Sequence, residues 1–332
     1  MRKILVILLL SSMVFAAPAR KKRAKAHRPN LQQQLNKMAS RFHGKVTLYA
    51  INMKTGDTVS IDPDQPVATA SVIKLPVMVE TYVQVKAGNR SLSEKLQLTK
   101  ENQVPGSGVL NQLQPGLELP LRDAVVLMMD VSDNTATNMV IDRVTIPAVN
   151  KRMKAMGLTN TYLYKKVYKP ADGEMSPDQK KFGLGKTTAR EMAQVMESVV
   201  GCATGAAPPS PAPANWNGIS DARLCQQMID IMRNQQYRNM IPHYLETMDT
   251  SETRSSIADK VGQLDDVRND VALVETKSGR IVISIFTYEI RDQRWLAENE
   301  AEQLIARMAK AIVDYWSPGG LASAASEGIP GR

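Results

Sequence analysis

The sequence predicts an α+β fold, on three observations. Strand-like runs gather near the two ends of the domain, at 45–61 and 257–288, while 91–196 between them is mostly helical and loop-like. An amphipathic helix over 295–316 closes the pattern. With 332 residues and 43% hydrophobic content, the chain can bury a sizeable core, as one large domain or as two lobes.

Residues 1–17 read as a signal peptide: Arg2 and Lys3, the apolar run Ile4 to Leu10, then small residues at Ala16, Ala17 and Ala19. Cleavage is expected after Ala16 or Ala17, giving a secreted or periplasmic protein. The apolar run is short for a membrane span, and no later stretch reaches the roughly 18 apolar residues a spanning helix needs, so no stable membrane insertion is expected after cleavage. Residues 18–30 form a basic linker around Arg20-Lys21-Lys22-Arg23-Ala24-Lys25. Of the net charge of +9, eight Lys and Arg and no acid fall within residues 1–30, so the rest of the chain carries about +1. The basicity belongs to the leader and linker, and no nucleic-acid partner is expected of the folded part.

Leu31 to Arg41 has helical spacing, and Lys45 to Asn52 reads as a strand, paired through the turn Met53-Lys54-Thr55-Gly56-Asp57 with a second over Thr58 to Ile61. A polar link through Pro63 and Pro66 leads to Ala70-Ser71-Val72-Ile73-Lys74-Leu75-Pro76, where the apolar run Leu75 to Val83 opens. The helical lobe is expected over 91–225 and the α/β part over 31–90 and 226–316. Within the lobe, Leu119 to Asp123 opens a buried helix, Val131-Ser132-Asp133-Asn134-Thr135-Ala136 ends it, and Thr135 to Ile141 starts the next. Tyr164 to Lys186 reads as one extended loop, of a length usually functional or mobile. Cys202 and Cys225 flank a Pro/Ala-rich insertion and are expected to be bridged rather than catalytic. Ser220 to Arg233 is a helix with Met228, Ile229 and Met232 inward; strands follow at Ile257 to Gly262, Asp270 to Val274 and Ile281 to Tyr288. Residues 317–332, rich in Gly, Ala and Ser, read as a disordered tail. His27, His43 and His243 fit no metal motif, and neither metal nor cofactor is expected.

The chemistry centres on Ser71 and Lys74. At i, i+3 on a helix the hydroxyl and the amine share a face, one turn apart. A serine hydroxyl needs a base, and lysine serves only as a free amine, with its pKa pushed down by burial or by another cation. A helix start also favours negative charge developing at the serine oxygen.

Ser71 to Lys74, Ser132 to Asn134 and Lys260-Val261-Gly262 follow one another with a helical lobe between strands. In that order they resemble the three motifs of class A β-lactamases and penicillin-binding proteins. The phrases Pro105-Gly106-Ser107-Gly108-Val109-Leu110, Leu121-Arg122-Asp123, Asn134-Thr135-Ala136-Thr137-Asn138 and Val267-Arg268-Asn269-Asp270 carry the resemblance over residues 31–316. It implies a three-layer α-β-α arrangement with a mainly antiparallel sheet plus an all-α lobe, the site between them, in a family of exported hydrolases; a monomer is expected. Residue by residue, it implies that a β-lactam or a D-alanyl peptide-like small substrate acylates Ser71. Lys74 would be base or relay, and Ser132 would pass a proton to the leaving nitrogen. Asn134 would hold the substrate's side-chain amide, and Lys260 would attract its carboxylate. The backbone N–H groups of Ser71 and of Gln263, just after Gly262, would form the oxyanion hole.

The chain departs from that pattern twice. Val261 stands where the family has Thr or Ser; a lost hydrogen bond to a charged group costs about 1.5–3 kcal/mol, which predicts weak binding of ordinary penicillins. The family's E-x-x-L-N, whose glutamate activates the deacylating water, is replaced by Lys165-Lys166-Val167-Tyr168-Lys169-Pro170-Ala171-Asp172-Gly173-Glu174, leaving Asp172 and Glu174 as candidate bases. Three functions follow: a β-lactam-degrading serine hydrolase, a D,D-peptidase-like enzyme with slow deacylation, and a non-turnover binding protein of the envelope.

Overall fold

A computed structural model describes residues 30–171, 173–205, 221–246 and 255–322. The signal and linker, most of the Pro/Ala-rich insertion and Asp172 lie outside them. Strands β1 (Lys45–Asn52), β2 (Thr58–Ile61), β8 (Ile257–Leu264), β9 (Val267–Thr276) and β10 (Gly279–Tyr288) form one sheet in the order β2-β1-β10-β9-β8. Every neighbouring pair is antiparallel. The short strands β3 (Val67–Ala68), β6 (Tyr162–Leu163) and β7 (Gly185–Thr187) make a second sheet, and β4 (Lys95–Gln97) pairs with β5 (Glu118–Pro120).

Both faces of the main sheet are covered, and the two-residue period of its strands sorts the core into two clusters. Ile281, Ile283 and Ile285 of β10 pack with Val261 and Ala272 against α1 (Leu31–Ala39) and α9 (Glu300–Trp316). Val282 and Phe286 face the opposite way, with Ala258, Val271 and Leu273, toward α7 (Ala189–Thr204) and α8 (Ala222–Met232). That second cluster runs on into the helical lobe: α2 (Lys74–Lys86), α3 (Leu121–Asp130), α4 (Asn134–Val144) and α5 (Ile146–Ala155); the lobe's short helix α6 (Pro177–Phe182) lies outside it. Helix α2 is its axis, buried at every position from Lys74 to Val83, with Pro76 tolerated because it lies in the first turn.

The expected α+β layering therefore holds, with four local corrections. Ser71 sits not on α2 but in a 3₁₀ turn, Ala70–Ile73, immediately before it. Residues 164–186 are not one loop: Ser176 caps the six-residue α6, with Pro177 at its first position, and β7 follows. Six residues are too few for apolar periodicity to show. The last helix begins at Glu300 rather than Trp295, because the Asn299 side chain accepts from the N–H groups of Ala301 and Glu302. The tail is ordered as far as residue 322, where Leu321 bridges to Thr276 and the Ala322 N–H donates to Glu275 O at 3.0 Å; residues 323–332 lie outside the described residues.

Cys202 on α7 and Cys225 on α8 are joined in a disulfide with a Cα–Cα distance of 5.9 Å. Closing a loop of this size stabilises the fold by about 3 kcal/mol, mainly by restricting the unfolded chain. Replacing both cysteines by serine is expected to lower the unfolding free energy by about that amount in urea titrations, with the reactivity of Ser71 unchanged. A midpoint insensitive to the double substitution would remove the disulfide from the account of stability.

Candidate active site

The 3₁₀ turn places its residues i and i+3 one above the other, so Ser71 and Lys74 project from the same side. Ser71 is half-buried and Lys74 is 0% exposed. The Lys74 Nζ donates to Ser132 O at 2.7 Å, to Ser132 Oγ at 3.0 Å and to Asn134 Oδ1 at 3.0 Å. Lys260, also 0% exposed, reaches the same hydroxyl from the sheet, with Nζ at 3.2 Å from Ser132 Oγ and 2.9 Å from Val261 O. Four of the residues expected from sequence thus meet in one hydrogen-bonded cluster spanning the lobe and the sheet. The Ser71 hydroxyl makes no hydrogen bond among the described residues, as is common for a nucleophile before substrate arrives.

Two ammonium groups cannot both be stable on one buried hydroxyl, and their surroundings decide which is charged. Burial and the neighbouring Lys260 push Lys74 well below the ordinary lysine range, with Asp133 opposing. Burial lowers Lys260 to about 8, and it falls no further because Asp259, Asp270 and Asp130 favour its charge. Of the two, Lys74 is thus the one shifted toward the free amine, in which its contact with the Ser132 hydroxyl reverses and the hydroxyl donates, while Lys260 keeps its charge at neutral pH. Asp259 is held by Arg238 Nη1 at 2.8 Å, and Asp270 accepts from Ile241 N at 2.9 Å. Desolvation raises both carboxyls, Asp270 to about 7. Desolvation likewise raises Asp130, at the end of α3, to about 7.

The strand next to the nucleophile comes unusually close. A Cβ on Gly262 would lie 2.7 Å from Thr69 O and 2.9 Å from the backbone nitrogens of Ser71 and Val72, so only glycine lets β8 lie against the 3₁₀ turn. Asn269 of β9 reinforces the approach by donating to Ala68 O at 2.9 Å and Thr69 O at 3.2 Å. This contact sets the Ser71 backbone nitrogen beside Gly262 of β8. The Gln263 side chain points to the other face, where its amide donates to Glu302 Oε1 at 2.8 Å.

Val261 points to that other face too, 2% exposed within the α1/α9 cluster. A hydroxyl there would enter an apolar core, so the weak penicillin binding expected from its loss has no basis in this geometry. Glu174 is exposed, and no hydrogen bond among the described residues joins it to the cluster. Asp172 lies outside the described residues. The loop comes nearest the cluster at Val167 and Tyr168. Asn138 on α4 clamps it, donating to Val167 O at 3.0 Å and accepting from Val167 N at 2.8 Å.

Sequence reasoning gave no role to Asn138, Asn269 or Asp133. The Asp133 carboxylate caps α4 through Ala136 N at 2.8 Å and holds Val109 N at 2.6 Å and Leu110 N at 2.9 Å, tying the 104–110 loop to the cluster. Backbone strain marks the same place. Six non-glycine described residues have positive φ, and three of them, Ala70 at 45°, Ser132 at 53° and Tyr168 at 53°, surround the cluster. Two cavities of about 580 and 450 Å³ lie elsewhere, at the β10–α9 junction and between α2 and α5, and contain none of these groups. Chemistry rather than volume identifies the site. Among the described residues no group of His, Cys, Asp and Glu is arranged to hold a metal ion.

The family described as "Beta-lactamase enzyme family" matches residues 30–316. Similar solved structures include a β-lactamase from Sphaerobacter thermophilus DSM 20745, with 27% identity, a TM-score of 0.69, and coverage of 86% of this chain and 96% of that one. Another is PBP-A, with 25% identity, a TM-score of 0.68 and the same coverage. A Streptomyces cacaoi protein described as β-lactamase regulatory protein BlaB is 22% identical over 303 residues, covering 79% of this chain and 90% of that protein.

Two outcomes are expected from this geometry. The second-order rate of Ser71 acylation should fall as pH rises through about 8, because Lys260 then loses its charge in the free enzyme. Lys260→Arg, always protonated, should remove that alkaline limb; a limb unchanged by the substitution would assign it to another group. Gly262→Ala should slow acylation by about 100-fold, the order seen when one oxyanion donor is lost, in a protein whose circular dichroism is unaltered.

Proposed function

The chain belongs to the β-lactamase enzyme family, and we propose that it is an exported serine enzyme that β-lactams acylate at Ser71 and that releases the acyl group slowly, in the manner of a penicillin-binding D,D-peptidase. In this reading Lys74 takes the Ser71 proton as the hydroxyl oxygen attacks the lactam carbonyl. The oxyanion is met by the N–H groups of Ser71 and Gln263. Ser132, whose lone pairs face two lysines, delivers a proton to the leaving nitrogen, and Lys260 receives the substrate carboxylate.

The observation that carries slow release is the segment held by Asn138. It offers the backbone and apolar side chain of Val167, followed by Tyr168, and the acid that most affects Lys74 is Asp133, already committed to three backbone N–H groups. A deacylating water has no evident base among the described residues. Turnover of β-lactams is the second reading, and family membership favours it. It requires a base on the loop, for which Asp172 and Glu174 are the candidates.

A time course of intact mass after mixing with a penicillin and with a cephalosporin separates the readings, with Ser71→Ala as control. A persistent adduct on Ser71 is expected. An adduct that disappears as hydrolysed drug accumulates would replace slow release by turnover, and Asp172→Asn would then be expected to trap the adduct. No adduct at any time would leave a non-turnover binding protein.

A further inference from the structure

Tyr168 combines three features that packing alone does not call for. It is a large aromatic residue 63% exposed, it has a left-handed backbone at φ 53°, and Asn138 fixes the residue before it through two hydrogen bonds. A β-hairpin or helix end would give that φ to glycine or asparagine; for a bulky side chain it costs stability and survives where surrounding contacts enforce it. The place so enforced is the mouth of the Ser71 site. The point where a Cβ of Gly106 would stand is 2.6 Å from Asn134 Nδ2, 3.1 Å from Tyr168 Cε2 and 3.4 Å from the Tyr168 hydroxyl. Gly106, at φ 90°, thus leaves room for the ring to lie beside the carboxamide whose oxygen pairs with Lys74. That carboxamide is oriented by its other end, which donates to Pro105 O at 3.1 Å.

We propose that Tyr168 is a specificity-determining residue: its ring forms an aromatic wall beside Asn134 that selects substrates with a flat, aromatic acyl substituent on the amide nitrogen. The inference rests on acylation at Ser71, and it adds which substrates acylate fastest. An acyl group entering between the 104–108 and 164–171 segments meets the Asn134 amide and then the ring face. Stacking there is worth a modest factor in rate, because it is made along the whole path to the acyl-enzyme. The alternative role for the residue is to shape the loop.

The test is the ratio of second-order acylation rates for benzylpenicillin, which carries a phenylacetyl group, and 6-aminopenicillanic acid, which carries none. Tyr168→Asn removes the ring yet tolerates the left-handed backbone, so it folds without new strain. The ratio is expected to fall about five-fold in Tyr168→Asn and to be kept in Tyr168→Phe, while the thermal midpoint of Tyr168→Asn equals or exceeds that of the parent. An unchanged ratio, or equal slowing of both substrates, overturns the proposal and leaves Ser71 acylation standing. Failure of both compounds to acylate the parent protein overturns the function itself, and the proposal with it.

Discussion

The site depends on burying the amine of Lys74. At 0% exposure, with its Nζ against Ser132 O, Ser132 Oγ and Asn134 Oδ1, this lysine is the polar link between the 3₁₀ turn and the α3–α4 turn. An ammonium so deeply buried is costly, and a second lysine on the same hydroxyl makes it more so. The fold resolves the conflict by assigning charge unequally. Asp259, Asp270 and Asp130 favour the charge on Lys260, while burial and that charge push the Lys74 amine well below the ordinary lysine range. The proposed base and the proposed anion receptor are the same residue type, and burial and neighbours make them different.

That arrangement also requires the sheet and the lobe to meet at a fixed distance, and backbone contact sets it. Among the described residues β8 is an edge strand, with no strand partner on its outer side. Gly262 lets that edge come within contact of Thr69, Ser71 and Val72, and Asn269 ties the next strand to Ala68 and Thr69. The strained Ala70 just before the nucleophile is the local cost of turning the chain into this contact. An edge strand, ordinarily a hazard for aggregation, is here covered by the turn that carries Ser71.

Much of this was legible in the sequence, because residues with strong chemical preferences stand at short, ordered spacings. Ser71 and Lys74 share a side of the chain as their spacing implied, and Lys74, Ser132, Asn134 and Lys260 meet in the order the resemblance implied. What escaped were matters of direction and of tertiary pairing. Strand parity sends Val261 into the α9-side core, which motif matching could not reveal although the alternation of β8 contained it. The α6 helix was hidden by its length. Asn138 and Asn269 act on backbone atoms 29 and about 200 residues away in sequence, and an asparagine carries no mark of such a partner. The loop carboxylates carry the chemistry a base needs, yet the residue that Asn138 draws inward is Val167, and nothing in an asparagine's identity announces that pairing.

The same clamp explains why acylation and release can be separated in one fold. Acylation needs only groups already inside the Lys74–Ser132–Lys260 cluster, all fixed by packing across the lobe and the sheet. Release needs one more group, a base aimed at a water on the loop side, and the geometry there is set by residues that hold backbone rather than by the cluster. Asn138 pairs with the N–H and C=O of whatever residue stands at 167, so the loop can keep its path while that side chain changes. In the proposed slow-release reading, a valine at that position with an exposed tyrosine beside it leaves the acylation machinery intact but supplies no carboxylate for hydrolysis. On that reading the lifetime of the acyl-enzyme is set by a side chain whose replacement disturbs neither the buried lysines nor the contact at Gly262.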